Sequence, residues 1–104
     1  MARHNLFVND IKRIIEDGLR ARMRKKHDIK MAITSNGLNS RLRVLVVSDY
    51  FRRKSFFDRV DLISNLLNES DLTPKQRFQV GPIVPLTERE AEKIGALSEV
   101  MHDT

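Results

Sequence analysis

The 104-residue sequence contains no cysteine and no tryptophan, four glycines, three prolines and no long apolar run. Each absence excludes something. Without cysteine there is no disulfide framework of the kind small exported domains rely on, and no thiolate for a metal site. A membrane-spanning helix needs about 20 apolar residues in succession, and none is present. The opening Met1-Ala2-Arg3-His4-Asn5 leads into an amphipathic segment rather than the apolar stretch of an export signal. The expectation is a cytoplasmic protein with no membrane association. Gly18, Gly37, Gly81 and Gly95 are isolated from one another, so no glycine-rich phosphate loop is formed.

Catalytic groups are equally sparse. His4, His27 and His102 are not spaced as two ligands on one helical face, so no metal site is expected. No serine sits in a nucleophile elbow with a histidine placed to serve as its base. Asp58 and Asp61 are one helical turn apart, but capping and solvation account for them. The sequence reads as a binding protein rather than an enzyme, with no cofactor.

What the sequence does have is a modest core and a divided charge. The apolar fraction is 40%, enough for one domain over residues 1–104, with residues 1–4 and 100–104 expected to fray. Residues 1–54 carry 14 Lys/Arg against 5 Asp/Glu, whereas residues 55–104 carry 5 against 9, which leaves the overall charge at +5. Such a division can give a compact domain one basic face suited to a polyanion or an acidic protein patch. Ordinary solubilising charge on helix surfaces explains it equally well.

Phe7, Ile11, Ile14, Ile15 and Leu19 recur at helical spacing and predict a first helix from Asn5 or Asn9 toward Met23. Gly18 within it permits either a bend or close packing. Arg20, Arg22, Arg24, Lys25 and Lys26 follow, with His27. Cations at a helix C-terminus are favoured by the macrodipole, but five in seven residues exceed that need. Ile29, Met31 and Ile33 alternate with polar neighbours as a strand over 29–34, and Asn36-Gly37 signals a hairpin turn. The return strand covers 41–48. Its Val44-Leu45-Val46-Val47 run suits a strand covered on both faces.

Arg52, Arg53 and Lys54 lie in the next connection. Ser55 with Asp58 fits a capping box that opens a second helix, whose apolar stripe reads Phe56, Val60, Ile63 and Leu67, widened by Phe57, Leu62 and Leu66. All five phenylalanines fall on core-like positions or element junctions. Tyr50, beside the three cations, is either a stacking platform or a residue closing the sheet edge with its hydroxyl in water. A third strand is expected over Gln76–Val84, interrupted by Gly81-Pro82 at an edge, bulge or strand end. Thr87 with Glu90 caps a last helix using Ala91, Ile94, Leu97 and Met101, with Gly95 weakening its far end. The element order is α-β-β-α-β-α, an α+β two-layer sandwich with a three-stranded sheet and helices over a single face.

The stretch from Val46 to Ile63 resembles the central signature of the BolA-like family, a hydrophobic strand ending in serine, a phenylalanine, a Gly-Lys-Ser-type turn and a helix. Phe51, Lys54, Ser55, Arg59, Leu62 and Ile63 fall into register with it, and Ile83 and Leu86-Thr87-Glu88 are similar to its closing strand and last helix start. Arg53, Val60 and Asp61 depart from the pattern. The resemblance implies a fold like a type II KH domain and a regulatory, transcription- or stress-linked role. It also implies nucleic-acid contact through the second helix and the turn before it. On these residues the candidate DNA- or RNA-binding set is Arg52, Arg53, Lys54, Ser55 and Arg59, joined by Arg22, Arg24, Lys25 and Lys26. The family also implies partnership with a monothiol glutaredoxin through a cluster-ligating histidine. Gln79 stands at that position here, so any such partnership is expected to proceed without an iron–sulfur cluster.

Overall fold

Apolar side chains spaced three and four apart put Ile11, Ile15 and Leu19 on one stripe, and all three are fully buried. In the computed structural model, which describes residues 2–35 and 41–102, this stripe belongs to helix α1 (Ala2–Arg22). Strand β1 (Lys30–Ser35) then pairs antiparallel with β2 (Leu42–Val47), Met31 opposite Val46 and Ile33 opposite Val44. The predicted turn at Asn36-Gly37 lies outside the described residues. A single 3₁₀ turn over Asp49–Phe51 leads to helix α2 (Phe56–Asn68). After it come a short helix α3 (Pro74–Gln79), strand β3 (Val80–Leu86), and helices α4 (Glu88–Lys93) and α5 (Leu97–His102). β3 joins β2 in parallel, so the sheet order is β1-β2-β3 and the sheet is mixed.

The α+β class and the α-β-β-α-β-α order are as expected, with α3 added before β3 and the last helix divided. The coverage of the sheet is a correction. On one face Leu42, Val44 and Val46 of β2 pack with Met31, the α1 stripe, Phe51 and the α2 residues Ile63, Leu66 and Leu67. On the other face Leu45 and Val47 pack with Ala32, Leu86, Ala91, Ala96 and Val100. The helices therefore lie on both faces, not one. The continuous apolar run of β2 is the sequence-level cause, because alternate residues of a strand point to opposite sides and both need cover. Burying a side chain such as Leu45 contributes about 2 kcal/mol.

Three local signals set the remaining differences. Thr73 accepts from the Gln76 amide while the Gln76 side chain accepts from the Thr73 amide, and Pro74 occupies the first helical position. This capping box makes residues 74–79 helical, so the third strand begins at Val80 rather than Gln76. Pairing then shifts between Leu42 and Val44, opposite Gly81-Pro82, which places the expected irregularity in the edge strand. At the other end, Gly95 adopts φ +73, a left-handed conformation natural to glycine. The Ala96 amide donates to the Ala91 carbonyl at 2.8 Å and the Gly95 amide to Glu92 at 3.1 Å, closing α4 with a Schellman motif. The expected single last helix is thus two. Ile94 is exposed rather than in its stripe, and Ala96 and Val100 fill the core instead.

Gly18 is a close-packing site, not a bend. A Cβ added there meets the Leu66 side chain of α2, including Cδ1 at 2.8 Å. The missing side chain lets α1 and α2 approach. Among the described residues, no helix is long and apolar enough to cross a membrane.

Candidate functional site

The end of α1 uses part of its basic run for itself. Arg22 donates to the Gly18 carbonyl one turn back at 3.1 Å, and Arg20 binds Glu16 at 3.2 Å and the His27 carbonyl at 3.4 Å, cations that the C-terminal end of the helix favours. Arg24, Lys25 and Lys26 are exposed and have no carboxylate partner among the described residues. Past the helix, the chain turns into β1 and carries Lys25 and His27 against the connection that follows β2.

That connection is built tightly. Ser48 is fully buried, donates its amide to Leu86 at 2.9 Å and accepts from the Tyr50 amide at 3.2 Å, which starts the 3₁₀ turn. Phe51 is fully buried in the core. The Asp49 carboxylate accepts from the Glu88 amide at 3.2 Å, at the N-terminus of α4, where a negative charge is favoured. With Ser48, Asp49 and Phe51 fixed, Arg52 and Arg53 are left exposed, and Lys54 lies 5.2 Å from the Tyr50 ring centroid, a cation–π contact.

The two basic segments, 27 positions apart in the chain when counted from Lys25 to Arg52, line one open groove of about 600 Å³. Its walls are Lys25, His27, Asp49, Tyr50, Arg52, Arg53 and Lys54. The ring of His27 lies 6.4 Å from that of Tyr50. Asp49 is the one acidic lining residue against four cations, and its carboxylate is already engaged by α4. Such a concavity has a positive potential and suits an extended anion. Next to it, a groove lined by Lys26, His27, Asp28, Asp49 and Glu88 is mixed in charge. There Lys30 pairs with Glu88 at 2.8 Å, and that hydrogen bond, with the nearby carboxylates, holds the lysine pKa above its ordinary value.

Four of the nine residues expected from sequence, Lys25, Arg52, Arg53 and Lys54, come together in the groove. Arg24 and Lys26 line a smaller surface hollow with Arg20 and Met23, and Arg22 folds back on the Gly18 carbonyl of its own helix. The Ser55 hydroxyl is taken by the Asp58 amide at 3.1 Å, so it holds the first turn of α2. Arg59 is the clear departure. It is only 5% exposed, and its guanidinium donates to the Lys54 carbonyl at 2.9 Å, the Pro85 carbonyl at 3.3 Å and Glu90 Oε1 at 2.6 Å. The arginine ties α2 to β3 and α4 through its Nε and Nη1 donors, and these structural bonds, rather than exposure, account for its position. Glu90 also accepts from the Thr87 amide at 2.8 Å, and the Arg59 hydrogen bond in particular lowers its pKa.

Sequence reasoning missed the surroundings more than the cations. Phe56 and Phe57, assigned to the core stripe, are 52% and 76% exposed, and Phe78 is also exposed under Arg41 at 4.8 Å. The signal was available for α2. Phe56 and Phe57 are the first two helical residues after the Ser55 cap, and burial in that helix starts only at Arg59. Among the described residues no cluster of three or more histidine and acidic side chains is placed to hold a metal ion. Comparison with protein-family models, curated proteins and solved structures gives no match for this chain.

Proposed function

We propose that this protein is a non-enzymatic, BolA-like regulatory protein that binds nucleic acid through the groove between Lys25 and the Arg52–Lys54 turn. One observation carries the reading. Two basic segments distant in sequence converge on one concave surface, and among the described residues none of the four cations has an acidic ion-pair partner. Capping does not require this, since cations just before a helix N-terminus are mildly unfavourable by the macrodipole. Phosphate is the natural occupant. Charge neutralisation of this kind positions a backbone and provides affinity without reading sequence.

The test is a titration of labelled DNA and RNA with wild-type protein and with the Arg52→Gln/Arg53→Gln/Lys54→Gln variant, at several salt concentrations. The variant is expected to bind every sequence more weakly and to lower the salt slope by about 2 for a single strand. Its stability should fall by no more than about 1 kcal/mol, because Arg52 and Arg53 are exposed and Lys54 gives up its contact with the Tyr50 ring. Absence of binding by the wild-type protein at low salt overturns the proposal. A protein partner, such as a monothiol glutaredoxin engaged without a cluster, then becomes the leading reading.

A further inference from the structure

Phe56 and Phe57 are placed where folding does not require them. They sit on the first turn of α2, within three residues of Lys54, and contribute to neither of the two core clusters. The turn itself is held by the Ser55 cap, not by the rings. Phe78 is also exposed, but Arg41 covers its face; among the described residues no ring or cation stacks on Phe56 or Phe57. Aromatic residues are mediocre helix formers, so an exposed pair at helical positions carries a small local cost.

The basic surface beside them is longer than the first groove. A second groove of about 620 Å³ shares Asp49 and Arg52 with it and is lined further by Thr87, the Arg59–Glu90 ion pair, and Arg89 and Lys93, the last two exposed. Cations therefore follow one another from Lys25, through Arg52–Lys54, to Arg89 and Lys93, and the free rings, which line neither groove, follow Lys54 by two and three residues on the first turn of α2. A basic track with open aromatic faces matches an unpaired strand, whose phosphates follow the charge while its bases stack on rings. In a duplex those base faces are already occupied by neighbouring bases. We infer that the ligand is a single-stranded nucleic acid, with Phe56 and Phe57 as its base-stacking residues, an inference that rests on the groove reading above.

Fluorescence anisotropy with oligo-U, oligo-dT and a mixed-sequence duplex separates the possibilities. Wild-type protein is expected to prefer the single strands, and the tighter of the two identifies RNA or DNA as the source. Phe56→Ala/Phe57→Ala should weaken single-strand binding by ~5-fold or more for each ring that stacks on a base. Its salt slope should be unchanged and its melting temperature preserved. Because the chain has no tryptophan, Phe57→Trp supplies a single reporter. Its emission should be quenched by the bound single strand and not by inorganic polyphosphate. Two results overturn the inference while leaving the groove reading intact. One is wild-type single-strand affinity in the double alanine variant when the Arg52/Arg53/Lys54 variant has lost it. The other is duplex binding as tight as single-strand binding. A wild-type protein that binds none of the three removes the groove reading itself.

Discussion

Arg59→Met separates a structural arginine from a ligand contact. The methionine keeps an unbranched apolar stem in the buried position but removes donors to three acceptors, the Lys54 and Pro85 carbonyls and the Glu90 carboxylate. The Pro85 carbonyl interaction is buried, so leaving that acceptor unsatisfied costs about 1–3 kcal/mol. Glu90 is 45% exposed on its side chain, and water replaces part of what the arginine gave it, so its share is discounted to about 1 kcal/mol. The expected total is about 3 kcal/mol, equivalent to a fall in melting temperature on the order of 10–20 °C. Urea unfolding followed by circular dichroism measures it. Nucleic-acid binding by the folded fraction should keep the wild-type salt slope, because no phosphate contact has been removed. A variant as stable as wild type, with a reduced salt slope, would refute the structural assignment and return Arg59 to the binding surface.

Other perturbations give equally definite outcomes. Gly18→Val should destabilise by about 1–3 kcal/mol through overlap with Leu66, and adding Leu66→Ala should give less than the sum of the two single losses in urea unfolding. The lowered Glu90 pKa means that its contribution is present above the unfolded value near 4.5 and is lost as pH falls through the folded value. Glu90→Gln should therefore flatten the acid limb of the stability–pH curve below about pH 4.5, and an unchanged limb would contradict the Arg59–Glu90 account. Ile63→Ala should cost about 2–5 kcal/mol, whereas Phe57→Ala in the same helix should change stability by about 0.5 kcal/mol or less, both read by thermal unfolding.

Much of the fold was legible because its signals are periodic. The α1 stripe and the apolar run of β2 report burial directly, and β1 and β2 form within a residue of expectation, whereas α1 begins at Ala2 rather than at Asn5 or Asn9 and Ala32 of β1 is buried on the second face. The run Val44–Val47 pointed to cover on both faces of the sheet, although the helices were expected over a single face. Elements governed by a single local motif were harder. The Thr73-Pro74-Lys75-Gln76 cap produces α3 from a stretch whose composition resembles a strand approach, and Gly95 divides the last helix by one backbone conformation. At the candidate site, charge was visible and partnership was not. Lys25 and Arg52–Lys54 meet only through the packing of α1 and the β2–α2 connection. Arg59 has the same side chain as its exposed neighbours and differs only in the acceptors that the fold brings to it. Phe56 and Phe57 fit the helical stripe in register, but the packed part of the helix begins after them.

The most direct test of the central claim is the dependence of wild-type affinity on salt. With Lys25, Arg52, Arg53 and Lys54 each neutralising one phosphate, log K against log salt for a single strand should have a slope of about −3. The account is contradicted by a slope near zero, or by the absence of binding to any polynucleotide at the lowest salt.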